Sequence, residues 1–231
     1  ALVLAAATEA RAQDLVESRF ATETTVIESP EYVVWELFRL GPYTPKEPSE
    51  FDGFSGDRGP MLTTEVDFII WRIPYVGPIA AGARFGWARY KGPAVDASGM
   101  NTGEKTKLNI FPFSALAVLR IDVLARELDV PILLTGKVGL DVIPWKSKTG
   151  GSSVDPFGDD AVSLGLVWGG QVALELDFLE PRAARRLDED WGINHSFLFF
   201  ELFGSTAGAA SGDTLDLSEK LTFAMGLGFV M

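Results

Sequence analysis

Cysteine is absent from this sequence of 231 residues, and histidine occurs once, at His195. The lack of cysteine excludes a disulfide framework, thiolate catalysis and Cys-ligated zinc or iron–sulfur sites. One histidine cannot supply a multi-histidine metal site. We therefore expect no metal centre, no cofactor and no redox chemistry.

Positive charge and long hydrophobic runs are also scarce. The 20 Lys and Arg residues stand against 32 Asp and Glu residues, a formal net charge of −12. Nucleic-acid binding requires a basic face that displaces counterions, so we expect no nucleic-acid partner. The long uncharged runs, 108–119 and 162–174, fall short of the about 18–20 residues that a membrane helix needs.

The N-terminus has the pattern of an export signal. Residues 1–7 (ALVLAAA) are apolar, and Ala10, Arg11 and Ala12 form the small-x-small pattern of a signal-peptidase site. We interpret 1–12 as a signal-peptide remnant, 13–31 as a periplasmic segment and 32–231 as the folded domain. A short amphipathic helix is the alternative interpretation of the first residues.

Apolar side chains recur at every second position near the C-terminus, which is the period of a β-strand. Small residues such as Ala224, Gly226 and Gly228 occupy the positions between them. A soluble sheet would carry polar residues on its outer face, whereas a lipid-facing barrel strand carries apolar ones. Residues 162–178 repeat the pattern. In the C-terminal segment the large apolar residues at every second position are Leu221, Phe223, Met225, Leu227, Phe229 and Met231.

Eight segments have this strand character. They span 32–42, 62–73, 79–90, 107–123, 132–145, 162–178, 195–203 and 220–231. The connections 43–61, 91–106, 146–161 and 204–219 are long and rich in Gly, Ser, Asp and Pro, while 74–78 and 124–131 are short. Residues 179–194 are long but contain a predicted helix (EPRAARRLDEDW). The sequence thus predicts an all-β, eight-stranded antiparallel transmembrane up-and-down β-barrel in a Gram-negative outer membrane, with ten strands as the alternative if 20–28 also pairs.

Two sets of residues are expected to mark the membrane and the lumen. Trp and Tyr favour the lipid–water boundary, so an aromatic girdle is predicted from Tyr43, Trp71, Tyr75, Trp87, Tyr90, Trp145 and Trp191. Charges opposite the apolar faces are expected to point into the lumen: Glu65, Asp67, Arg84, Arg120, Asp122, Lys137, Asp141, Glu175, Asp177 and Glu201. Buried charges must be paired or hydrated, and Arg84 and Lys137 are the expected main counter-charges. Alternation leaves the inward set ambiguous on the first, fourth and seventh strands. About eight strands leave room only for side chains, which favours a salt-bridged lumen over a pore.

Three short stretches carry a resemblance to a known family: GPYTP at 41–45, EFD at 50–52 and GINHSFLFFE at 192–201. On these stretches the chain resembles a myxobacterial family of small outer-membrane β-barrel proteins. The similarity covers nearly the whole mature chain. It implies the barrel fold and the outer-membrane location, and no assigned activity.

Enzymatic chemistry is not expected. His195 and Ser196 are neighbours on a predicted strand, so their side chains point to opposite faces and cannot form a nucleophile–base pair. We expect no catalytic residues and a structural or surface-interaction barrel. The alternatives are a narrow channel or carrier for small solutes or hydrophobic molecules, and a soluble lipocalin-like binder. Expected partners are outer-membrane lipid and lipopolysaccharide, the barrel-assembly machinery, and envelope proteins that contact 43–61, 91–106, 146–161 and 204–219.

Overall fold

The computed structural model describes residues 30–43, 59–95, 101–149, 152–153, 162–209 and 216–231. The signal remnant, the alternative strand 20–28 and the central parts of the four predicted long connections lie outside the described residues. Within the described ranges, no helix is both long and apolar enough to cross a membrane.

The described residues form ten β-strands and two helices. The strands are β1 (Val33–Tyr43), β2 (Gly59–Ile73), β3 (Gly77–Val95), β4 (Asn101–Ile110), β5 (Phe113–Ile121), β6 (Ile132–Thr149), β7 (Ser152–Ser153), β8 (Val162–Glu175), β9 (His195–Ser205) and β10 (Glu219–Val230). The helices are α1 (Val123–Glu127) and α2 (Pro181–Trp191). The helix predicted between 179 and 194 is confirmed by α2.

The strands close into an antiparallel barrel. The ring order is β1, β2, β3, then β4 and β5 together, then β6, β8, β9 and β10, and each member pairs with the next. The ring closes because β10 pairs back onto β1. The short β7 pairs only with the end of β6. The prediction of eight antiparallel members in an up-and-down barrel is confirmed, because β4 and β5 occupy one position in the ring.

The predicted strand 107–123 is interrupted at Pro112. Proline has no N–H for the ladder, so β4 ends at Ile110 and β5 begins at Phe113. The break does not open the sheet, since Gly86 donates its N–H to the carbonyl of Pro112 at 2.8 Å. The predicted connection 91–106 is shorter than expected, because β3 continues to Val95 and β4 begins at Asn101.

The two ends of the barrel differ. At one, here called the helical end, lie the turn 74–76, helices α1 and α2, and the start of β1 beside the end of β10, where Tyr32 and Val33 donate their N–H groups to the carbonyl of Met231. At the other, here called the loop end, β1, β3, β6 and β9 end and β2, β4, β8 and β10 begin.

The barrel interior is filled by side chains in layers. An apolar cluster at the loop end includes Tyr43, Tyr90 and Phe203, with Trp145 packed against it. Another at the helical end includes Phe197 and Phe199. Charged side chains separate the two layers along β1, β6 and β9.

Gly139 is required by a close approach between β6 and β5. A Cβ atom at this position would overlap the backbone carbonyl of Ala115, whereas a Cβ at Gly136 would meet no atom within 4 Å. We expect Gly139→Ala to lower the free energy of unfolding by about 1–3 kcal/mol, the usual cost of overpacking. Gly136→Ala, on the exposed face of the same strand, is the matched control. Urea titration of the refolded barrel measures both, and equal stability of the two variants would contradict this register.

Candidate functional site

Six charged side chains meet at the centre of the barrel, and all are buried. We call this set the central ion cluster. It consists of Glu36 and Arg39 on β1, Glu65 on β2, Arg84 on β3, Lys137 on β6 and Glu201 on β9. Three carboxylates face three cations, so the cluster is formally neutral.

Lys137 is the hub of the cluster. Its Nζ lies 2.8 Å from Oε1 of Glu36, 2.5 Å from Oε1 of Glu65 and 3.1 Å from Oε2 of Glu201. These three carboxylates converge as the ligands of a metal ion would. The ammonium group lies among their oxygens and takes the place of such a cation.

The two arginines extend the cluster across the barrel. Arg39 donates to Glu201 at 2.8 Å and lies 3.7 Å from both Glu36 and Glu65. Arg84 donates to Glu65 at 2.6 Å and to Glu201 at 2.9 Å. Phe203 covers the two guanidinium groups, with its ring centroid 5.1 Å and 5.5 Å from their Cζ atoms. The ion pairs therefore connect five strands through the interior.

Other predicted lumen residues are buried outside the cluster. Asp141 accepts hydrogen bonds from Ser114 at 2.8 Å and from Ser205 at 2.7 Å. Arg120 lies over the ring of Phe197, 4.9 Å from its centroid. The carboxylate of Asp67 is buried over Gly82, and within the described part of the chain neither of its oxygens has a hydrogen-bond partner.

Asp122, Glu175 and Asp177 belong to the helical end rather than to the centre. Asp122 pairs with Arg72 at 2.7 Å, and Glu175 pairs with Arg126 of α1 at 2.8 Å. Neither arginine was among the predicted lumen residues. Arg72 lies beyond the inward-facing part of β2, and Arg126 lies on a helix.

Asp177 holds the only histidine of the chain. His195 Nδ1 lies 2.6 Å from Asp177 Oδ2, and Ser196 contacts Oδ1 through its N–H at 3.2 Å and its hydroxyl at 3.3 Å. Burial acts to raise the pKa of Asp177, but the hydrogen bonds from His195 and Ser196 outweigh it and the pKa is lowered. Both side chains thus engage the carboxylate of Asp177.

Sequence reasoning missed Glu36 and Arg39, which carry one third of the central ion cluster. Their spacing of three residues cannot place both on one face of a regular strand. A β-bulge between Glu36 and Arg39, with Phe38 at a φ of 53°, shifts the alternation and turns both inward. The only signal in the sequence is the pair of charges itself, inside an otherwise apolar strand.

The aromatic girdle needs correction at the loop end. Tyr43 and Tyr90 point into the barrel and are buried, and Trp145 packs inward against them. Tyr90 lies three residues after Trp87, so the two cannot share a face of β3, and the bulge in β1 reverses the side expected for Tyr43. Tyr43 instead donates its hydroxyl to the carbonyl of Leu217 at 2.6 Å.

The other four predicted girdle residues are exposed on the outer surface. They are Trp71, Tyr75, Trp87 and Trp191. Trp71, Tyr75 and Trp191 lie at the helical end, and Trp87 lies on β3 towards the loop end.

Removal of Lys137 tests whether the central ion cluster acts as a unit. We expect Lys137→Met to leave three buried carboxylates against two arginines and to destabilise the barrel by about 3–5 kcal/mol. Lys137→Met combined with Glu36→Gln restores the charge balance and should recover part of that loss. Urea titration of the native protein, the single variants Lys137→Met and Glu36→Gln, and the double variant gives the coupling energy, and a double variant no more stable than Lys137→Met alone would contradict the cluster.

Comparisons with known proteins give fold-level likeness only. No family model and no curated protein matches the chain. Among solved structures, the chain is similar to the attachment invasion locus protein Ail of Yersinia pestis in complex with the heparin analogue sucrose octasulfate, with 11% identity, 87% of this chain and 97% of that chain covered, and a TM-score of 0.44. The backbone structure of Ail in a phospholipid bilayer nanodisc gives 14% identity, 88% and 100% coverage and a TM-score of 0.39.

Proposed function

We propose that this protein is an outer-membrane β-barrel with a closed interior and a structural or surface-interaction function rather than an enzymatic one. The observation that carries the proposal is a band of exposed apolar side chains around the whole ring. Each ring position contributes at least one, and the representatives below are 44–64% exposed. They are Phe38, Leu62, Phe85, Phe113, Leu140, Leu166, Phe200 and Met225.

Such a band does not suit a soluble barrel. Soluble proteins rarely expose contiguous apolar surface of this extent, whereas lipid-facing barrels require it. The interior is correspondingly polar at its centre, which reverses the arrangement of a soluble lipocalin-like binder with an apolar cavity. The band and the buried ions together favour a bilayer as the surroundings.

The height of the band fits a membrane. On β6 the outward positions from Ile132 to Val142 are free of charge, and at ~3.3 Å per residue and a ~40° tilt they span about 25 Å. Trp71, Tyr75 and Trp191 are exposed at the helical end of the band, where amphipathic rings favour the lipid–water boundary. Both features are those of a strand that crosses a hydrocarbon layer.

A packed interior favours a surface function over conduction. The buried apolar clusters and the central ion cluster occupy the lumen along its length, as expected when about eight strands leave room only for side chains. The connections at the loop end, which join β1 to β2, β3 to β4, β6 to β8 and β9 to β10, are then the parts available to envelope partners. Outer-membrane lipid, lipopolysaccharide and the barrel-assembly machinery are the further partners that this location implies.

A charge in the apolar band should block membrane assembly. Val138 is 57% exposed in the middle of the apolar band on β6, and Val138→Arg should lower stability in lipid by about 2–4 kcal/mol, the cost of a cation near the bilayer midplane. Val138→Ala removes the same contacts without adding charge and should assemble. Folding into phosphatidylcholine vesicles, followed by gel migration with and without boiling, compares them. Equal assembly of both variants would contradict a lipid-facing band.

Two measurements on the native protein test the proposed function. Membrane fractionation should recover the chain in the outer membrane, and recovery in the soluble periplasmic fraction would contradict the proposal. Planar-bilayer recording should show a silent native protein and leak currents after Arg84→Ala, which opens the central ion cluster. Steady current steps from the native protein would instead identify a narrow channel.

A further inference from the structure

A cluster of basic side chains lies on the outer surface of the barrel towards the loop end. Strands β3, β4 and β6 each contribute, and all of the side chains are exposed. We call this set the basic patch: Arg89 and Lys91 on β3, Lys107 on β4, and Lys146 and Lys148 on β6.

The register of the sheet places these cations directly opposite one another. Lys91 pairs with Lys107, and Lys107 pairs with Lys148, so three lysines form one row across three strands. Arg89 and Lys146 flank Asn109 in the next row on the same face. Directly opposite residues on one face have Cβ atoms about 5 Å apart, and like charges at that distance repel. An anion that bridges the row would relieve this repulsion.

The location of the patch restricts which anion can reach it. On β3 the outward residues change from Phe85 and Trp87 to Arg89 and Lys91, and on β6 they change from Leu140 and Val142 to Lys146 and Lys148. The outward residues thus change from apolar to basic on β3 and β6, which lie on either side of β4, just beyond the apolar band. In a membrane this level is that of the lipid headgroups, and the patch faces outward into them.

We propose that the basic patch binds the phosphate groups of a phosphorylated glycolipid in the membrane leaflet at the loop end. The inference rests on the proposed membrane location. Lysines are flexible point charges that can converge on a phosphate from neighbouring strands. The net charge of the chain is −12, which repels anions elsewhere on the protein. Outward-facing cations concentrated at headgroup level therefore favour a specific contact with an anion over a general electrostatic attraction to the protein.

The register also supplies a variant that removes the site without weakening the sheet. Lys107 lies between Lys91 and Lys148, so Lys107→Glu converts two repulsive cross-strand pairs into attractive ones. It also lowers the charge of the patch by two. Lys146→Gln combined with Lys148→Gln is a second variant that lowers the charge equally without introducing a carboxylate. Arg185→Glu on exposed α2, at the opposite end of the barrel, is the control with the same change in net charge.

The probe is bis-phosphorylated lipid A, with its dephosphorylated form as the lipid control. The refolded proteins are titrated in nonionic detergent, and native mass spectrometry measures the bound lipid. We expect the native protein to prefer the phosphorylated form, and both patch variants to bind it about tenfold more weakly, as loss of a charge-assisted contact implies. Arg185→Glu should bind as the native protein does.

Four outcomes would overturn the proposal. Equal binding of the two lipids would show that phosphate is not recognised, and an equal loss in Arg185→Glu would show that net charge alone governs binding. Unchanged binding in the patch variants, or no binding by the native protein, would show that the basic patch is not a phosphate site. Membrane fractionation distinguishes failure of the glycolipid site from failure of the proposed function. A native protein that is recovered in the membrane but does not bind lipid A contradicts only the glycolipid site.

Discussion

The contact of Lys137 with three carboxylates is the interaction on which the rest of the barrel depends. Its ammonium group lies within 3.1 Å of Glu36, Glu65 and Glu201, which come from three other strands. A buried ion is costly unless it is matched, so each member of the central ion cluster is tolerable only while the others are present. Arg39 and Arg84 complete the charge balance, and Phe203 of the loop-end apolar cluster covers both guanidinium groups. The strands are thereby held in one relative position by charges in their shared interior.

A packed interior explains the division of the surface. Because the lumen is filled by side chains, what the protein offers to other molecules is its outside: an apolar band, aromatic side chains near its limits, the basic patch on β3, β4 and β6, and the connections beyond. The apolar band would be unfavourable in water and is favourable in lipid. A closed barrel can lie in lipid because its backbone groups are paired between strands. Polar chemistry then begins where the band ends, at the basic patch on one side and at the ion pairs of Arg72, Arg126 and His195 on the other.

Regular alternation made most of this fold predictable. The eight ring members and the inward side chains of Arg84 and Lys137 follow from the period-two patterns that a strand must obey. The helical connection after β8 was predicted separately, from the segment EPRAARRLDEDW. The errors occur where the period is broken. The bulge in β1 hid Glu36 and Arg39 and reversed Tyr43, and Pro112 divided one expected strand into β4 and β5. The girdle prediction for Tyr90 is wrong for a different reason. Tyr90 lies six residues after Arg84, an even spacing that places both side chains on the inward face of β3. Which carboxylate meets which cation depends on strand register around the closed ring, and no local pattern encodes it.

Residue-resolved footprinting in phosphatidylcholine vesicles tests the central claim most directly. A carbene generated from a lipid-borne diazirine labels side chains that touch acyl chains, and hydroxyl radicals label side chains that touch water. On β6 the carbene should label Leu134, Val138 and Leu140, while Leu133 and Lys137 should escape both reagents. Hydroxyl-radical labelling of the inward residues would show a water-filled lumen, and labelling of Leu134, Val138 and Leu140 by hydroxyl radicals but not by carbene would show a barrel outside the membrane. Either result would contradict a lipid-embedded barrel closed by its own ion cluster.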